Sequence, residues 1–201
     1  MRCAILAGGY ATRFDGRPKG LERVGGERIL DRVIQAVQLA TGSRPILIAN
    51  APDAGGWADL EIVPDAIPDC GSLGGIYTAV TSGEGPVAVV AWDMPFLSSD
   101  LITALIEEAA GRDAVLPASR GPLGMEPLCA VYDQGSADHI RRSLEAEDYR
   151  TTGFHGEARV GILALERVSA FGNPETLFFN VNTRDDLDRA QQLWQELHQG
   201  T

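Results

Sequence analysis

Basic residues are scarce in this sequence: 17 lysines and arginines face 28 aspartates and glutamates, for a formal net charge of -11. Nucleic acid and anionic membrane surfaces are gripped by clustered Lys and Arg, so this balance excludes a general binder of either. No apolar run approaches the roughly 20 residues that a helical membrane span needs. Met1-Arg2 leads straight into an apolar stretch without the layout of a signal peptide, and a cytoplasmic protein is the expectation. Cysteine is rare as well: Cys3, Cys70 and Cys129 lie far apart, form no CxxC pair and make no even set of disulfides. We expect them reduced. The three histidines, His139, His155 and His198, match no metal spacing such as HExxH. Both common phosphate-binding patterns are missing, for there is no GxGxxG at dinucleotide spacing and no GxxxxGKS/T.

What remains is an ordinary globular composition, 44% hydrophobic and 22% charged over 201 residues, which suits a single domain with one sizeable core. Residues 3–7, "CAILA", form a short continuous apolar run ended by Gly8-Gly9, as expected of a buried parallel strand. From Glu27 the apolar positions Ile29, Leu30, Val33, Ile34 and Val37 recur at spacings of three and four, predicting an amphipathic helix ended by Gly42. "PILIAN" and "LEIVPD" read as the next strands, and "CGSLGGIYTAV" as a glycine turn running into a helix. "PVAVVAWDMPF" predicts a central strand stopping at Asp93, after which Ser99 caps a helix carrying Leu101, Ile102, Leu105 and Ile106. "DAVLPA" and "PLCAVY" are further strands, "ADHIRRSLEAE" a helix, and residues 147–157 a polar loop. "TLFFNVN" is read as a last strand, with Thr183 and Asp186 forming a capping box for a final helix through Leu187, Ala190, Leu193, Trp194 and Leu197.

Strands alternating with helices predict an α/β fold: a single-domain, Rossmann-like three-layer sandwich with a mostly parallel sheet and helices on both faces. Ligands of such sheets sit beyond the carboxyl ends of the strands. Gly8, Gly9, Asn50, Asp65 and Asp93 all fall where predicted strands end, so they converge on one crevice.

The opening loop carries the chemistry. Two adjacent glycines let a backbone approach a ligand and offer N–H groups to phosphate oxygens, while Arg13 and Lys19 can offset triphosphate charge. Taken alone, Gly8-Gly9 fits a plain strand-ending turn better than a ligand loop. Asp93, at the end of a buried strand, is suited to a hard cation shared with substrate phosphates, although it could equally cap a turn. Asp65 could touch nucleotide or metal, or close a surface turn beside Pro64 and Pro68. Gly71, Gly74 and Gly75 enter a helix where N–H groups are free, or they serve a tight turn. Asn180 and Asn182 share a face by period two, or cap the helix that follows.

The whole string "LAGGYATRFDGRPKGL" resembles the signature loop of nucleotidyltransferases, and within them the molybdenum cofactor guanylyltransferases. Phe14, Asp15 and Pro18 depart from that family's loop, whereas the Lys and its flanks match. "DMPFL" resembles the family's metal motif, "GSLGGI" its pocket-lining glycine segment, "MEPLCAVY" a Pro-Leu segment on the pterin side, and "FFNVNT" its closing signature. The resemblance spans residues 3 to about 195. It implies the fold of nucleotide-diphospho-sugar transferases and transfer of GMP from GTP to the terminal phosphate of molybdopterin, with release of pyrophosphate. By the same resemblance Arg13, Lys19 and Asp93 are catalytic, and Asp93 holds Mg²⁺. Leu6, Ala7, Gly8, Gly9, Lys19, Asn50, Asp65, Gly74 and Asp93 contact nucleotide, and Asn180 and Asn182 lie on the pterin side. Transient contact with molybdoenzymes or their chaperones is a further expectation. Gly9 favours guanine over cytosine, because cytosine-using relatives tend to have LAAG. A cytidylyltransferase for the same cofactor, a transferase for another phosphorylated metabolite and a non-catalytic nucleotide-binding module stay open at this point.

Overall fold

The structure, a computed structural model, describes residues 1–8 and 18–199. Arg2–Leu6 (β1) starts the main sheet. A 3-10 turn at Lys19–Leu21 leads into a small hairpin of Arg23–Val24 (β2) and Glu27–Arg28 (β3). Its two central residues, Gly25 and Gly26, have φ of 60° and 86°, the left-handed pair that a two-residue hairpin turn demands. Glu27 is therefore in a strand, and the first helix starts at Ile29 rather than at Glu27: Ile29–Thr41 (α1), closed by Gly42 at φ 67°.

Ile46–Ile48 (β4), Ile62–Val63 (β5), Gly71–Thr81 (α2), Val87–Ala91 (β6) and Ser99–Glu107 (α3) follow in chain order. The cap of α3 is Ser98, not Ser99; the Ser98 side chain accepts a hydrogen bond from the Leu101 N–H at 3.3 Å. Ala114–Pro117 (β7), Cys129–Tyr132 (β8) and Ala137–Glu145 (α4) match the expected elements. Val160–Leu163 (β9), Leu165–Ser169 (α5) and Pro174–Leu177 (α6) were not foreseen, and Arg184–His198 (α7) closes the fold. The expected strand "TLFFNVN" does not form. Asn173 accepts from the Glu175 N–H and nucleates a helical turn with Pro174 at its start, a local capping signal that outcompetes the β-branched and aromatic residues after it.

The seven-stranded sheet has the order β5-β4-β1-β6-β8-β7-β9. β8 is antiparallel to both its neighbours, and every other adjacent pair is parallel. Alternation along the strands splits the interior in two. Cys3, Ile5, Leu47 and Val90 face a core with α1, α3 and α7, while Ala4, Leu6, Ile48 and Val89 face a second core with α2 and α4. Every residue of β6 is buried, as a strand covered on both faces requires. Full burial of each Val or Ile side chain contributes roughly 1.5–3 kcal/mol. The three-layer α/β architecture is therefore as expected. Among the described residues, no helix is long and apolar enough to cross a membrane.

Candidate active site

The chain runs outward from β1 to β4 on one side and returns to β6 on the other. The carboxyl ends of β1 and β6 therefore flank the point where strand order reverses, which is where such sheets open a crevice. The Leu6 carbonyl accepts from the Trp92 N–H at 3.2 Å, and the Ala7 N–H donates to the Ile48 carbonyl at 2.9 Å. Sheet bonding thus uses these groups of Leu6 and Ala7. Gly8 is the first residue past it; it is exposed, and no described atom lies within 4 Å of the place a Cβ would take. Gly9, Arg13, Phe14, Asp15 and Arg17 lie outside the described residues.

Three predicted residues meet directly. The Lys19 ammonium donates to Asp93 Oδ2 at 2.5 Å and to Asn182 Oδ1 at 2.7 Å. The partners stand 74 and 163 positions away in sequence. Lys19 is set by the 3-10 turn that Pro18 precedes, and Asp93 by the end of β6. Asn182 is set by the loop before α7, where the Val181 N–H donates to the Asp93 carbonyl at 3.0 Å. Asp93 is 6% exposed, and its other oxygen, Oδ1, is buried with no hydrogen-bond partner among the described residues. A buried unpaired carboxylate oxygen costs free energy unless something binds it.

Beneath Lys19 the packing is unforgiving. A Cβ on Gly20 would lie 2.4 Å from the Trp92 ring, and Trp92 is itself stacked on Trp57 with centroids 5.0 Å apart. Gly20→Ala should therefore cost roughly 1–3 kcal/mol through overpacking, read as a lower urea midpoint with an unchanged slope. An unchanged midpoint would show that the Trp pair yields freely.

Asn50 and Asp65 close β4 and β5 and hold each other. The Asn50 amide donates to Asp65 Oδ2 at 2.7 Å, and the Asp65 N–H donates back to Asn50 Oδ1 at 2.8 Å. They lie at the same carboxyl end of the sheet as Gly8 and Asp93. Gly74 lies in the first turn of α2, where a Cβ would stand 2.8 Å from the Cys70 Cβ, so close packing already requires glycine there. Asn180 turns its amide to the Phe178 carbonyl at 3.0 Å. With no strand at 176–182, the period-two pairing of Asn180 with Asn182 does not hold.

Glu126 escaped the sequence reading. β8 runs antiparallel, so its start lies beside the end of β6: Cys129 pairs with Val90, and the Ala91 N–H donates to the Leu128 carbonyl at 2.9 Å. Burial, and to a lesser degree the charge of Asp93, pushes the Glu126 carboxyl above its ordinary range; the Leu128 N–H, donating to it at 3.1 Å, opposes this. A carboxylate before a strand signals this only once that strand is known to run backwards. Cys3, Cys70 and Cys129 are free thiols, all buried.

A mostly parallel sheet whose strand order reverses between β1 and β6, with Lys19, Asp93 and Asn182 gathered at that end, is the layout of an α/β protein that takes an anionic ligand. A family model described as the MobA-like NTP transferase domain matches residues 3–159, and the chain belongs to that family. It is 34% identical to a protein of Pelotomaculum thermopropionicum named probable molybdenum cofactor guanylyltransferase, over 93% of this chain and 90% of that one. It is 32% identical to the molybdenum cofactor guanylyltransferase of Desulfosudis oleivorans, over 93% and 92%. The crystal structure of molybdopterin-guanine dinucleotide biosynthesis protein A from Archaeoglobus fulgidus superposes with a TM-score of 0.81 at 26% identity, covering 98% of this chain and all of that one.

Proposed function

We propose that this protein transfers GMP from GTP to the terminal phosphate of molybdopterin. A phosphate oxygen of the pterin attacks the α-phosphorus, the bond from that phosphorus to the β-bridging oxygen breaks, and pyrophosphate departs. The observation that carries this reading is the Lys19 ammonium poised between Asp93 and Asn182 at the carboxyl end of β6. A phosphomonoester with a second pKa near ~6 is largely dianionic at neutral pH, so the chain needs no histidine base. Its task is to position two anions and spread their charge.

Lys19 is the group we assign to the charge developing at the α-phosphate and the departing pyrophosphate, with Arg13 as its expected companion. Asn182 orients Lys19, and Gly8 offers its backbone to the phosphates. Asp93 and Asn182 suit Mg²⁺: Lys19 already presents a positive charge to both their oxygens, and Asp93 Oδ1 is a buried acceptor without a partner among the described residues. When bound, the ion would neutralise phosphate charge. Asn50 and Asp65 are assigned to the base and ribose side.

Equilibrium titration with GTP and with CTP, each with Mg²⁺, tests the reading. Preference for GTP, followed by pyrophosphate release on adding molybdopterin, is expected. Preference for CTP would replace guanine by cytosine, and binding of neither would overturn the proposal.

A further inference from the structure

Asp186 does more than a helix cap requires. In a capping box the carboxylate at the third helical position accepts from the N-cap N–H while the N-cap hydroxyl accepts in return. Both bonds exist: the Thr183 N–H donates to Asp186 Oδ2 at 2.8 Å, and the Asp186 N–H donates to Thr183 Oγ1 at 3.1 Å. Asp186 Oδ2 also accepts from the Asn182 N–H at 2.9 Å. That extra bond grips the residue whose side chain holds Lys19.

The contacts then close a ring. The Asp93 carbonyl holds Val181, Val181 leads to Asn182, Asn182 Oδ1 holds Lys19, and Lys19 returns to the Asp93 side chain. Asp186 fixes this ring from outside. We propose that Asp186 is a positioning residue, which sets the Lys19 ammonium by locking the Asn182 backbone; its effect on turnover rests on the nucleotidyltransfer reading above.

Docking of α7 does not depend on this carboxylate. Gln191 accepts from the Gly25 N–H at 3.1 Å and donates to the Arg23 carbonyl at 2.7 Å, Arg32 lies 4.0 Å over the Trp194 ring, and Ala190 is buried. Asp186→Ala should therefore fold with α7 in place. Thr183→Ala is the matched control, since it removes the other half of the box and leaves the bond to Asn182.

The test compares Asp186→Ala, Asp186→Asn and Thr183→Ala on two readouts. The first is the ¹⁵Nζ signal of the Lys19 ammonium in nucleotide-free protein, assigned by its loss in Lys19→Arg. It should survive in wild type and Thr183→Ala, vanish in Asp186→Ala, and return in Asp186→Asn, which keeps an acceptor oxygen. The second is steady-state turnover: kcat should fall by about 10- to 100-fold in Asp186→Ala, the scale of a misplaced catalytic group. KM for nucleotide should stay within about twofold, because only orientation in the transition state is lost. Thr183→Ala should keep both constants even where its melting temperature falls as far. A Lys19 signal that persists in Asp186→Ala, or an equal kcat loss in Thr183→Ala, reduces Asp186 to a helix cap. A wild type with the signal but no transfer of GMP would leave the positioning role standing and remove the functional reading.

Discussion

Asp93→Asn should abolish Mg²⁺-dependent turnover while leaving the protein folded. The substitution is nearly isosteric, and an amide oxygen can still accept from the Lys19 ammonium where Oδ2 now does at 2.5 Å. What disappears is the negative charge, and with it the reason for a hard cation to stay. Losing one preorganised electrostatic contact at a reacting centre costs ~10²–10³ in rate. In the proposed mechanism Asp93 answers for both the cation and the placement of Lys19, so a loss of at least ~10³ is expected. The protein should stay folded at a lowered melting temperature, since neutralising Asp93 leaves the largely buried Lys19 ammonium without its counter-charge. Turnover within about tenfold of wild type in a folded Asp93→Asn would remove Asp93 from the mechanism.

The strands that carry this site were legible because a buried parallel strand is written as a bare apolar run: "CAILA" and "VAVVA" need no partner to be recognised. Asp93 and Lys19 stood out because the residues flanking them match a signature, although nothing local says that they touch. Their contact is a product of strand order, which places the ends of β1 and β6 side by side. Asn182 was singled out on a mistaken geometry: it reaches Lys19 from a loop tethered to Asp93 and Asp186, not from a strand face. The box at Thr183 and Asp186 was readable because capping is written within four residues. The second bond of Asp186, to Asn182, was not, since its meaning depends on where Lys19 lies. Glu126 stayed hidden for a topological reason, as only the reversal of β8 turns a residue before a strand into a neighbour of the crevice. β9 was missed because "VGIL" is an edge strand of four residues with glycine inside it and Ile162 exposed, too short a pattern to outweigh its polar surroundings. The Gly25-Gly26 turn was the opposite case: a two-residue hairpin signal was present, yet Glu27 just after it was read as opening a helix.

Replacing Lys19 by methionine should move two measurements in opposite directions. Its ammonium is the one described cation held by both Asp93 and Asn182. A straight apolar chain in its place can neither stabilise charge at the α-phosphate nor neutralise Asp93. The kcat should fall ~10²–10³-fold, equivalent to about 2.7–4 kcal/mol of transition-state stabilisation. Nucleotide-free protein, however, should bind Mn²⁺ more tightly than wild type, followed by the quenching of the free-ion paramagnetic resonance signal. The reason is competition: in wild type any cation arriving at Asp93 must first part Oδ2 from Lys19, whereas in Lys19→Met both carboxylate oxygens are available. Asp93→Asn should lose kcat and Mn²⁺ binding together, so the pair of variants separates the proposed holder of the cation from the charge that is poised beside it. Lys19→Arg refines the point, because a planar fork cannot occupy the single position between Asp93 Oδ2 and Asn182 Oδ1 that a compact ammonium fills. It should keep Mn²⁺ binding weak while recovering little of the rate. A Lys19→Met protein that loses less than about tenfold in kcat would contradict the catalytic role. One whose Mn²⁺ affinity is unchanged or weaker would show that Lys19 and the cation do not contend for Asp93.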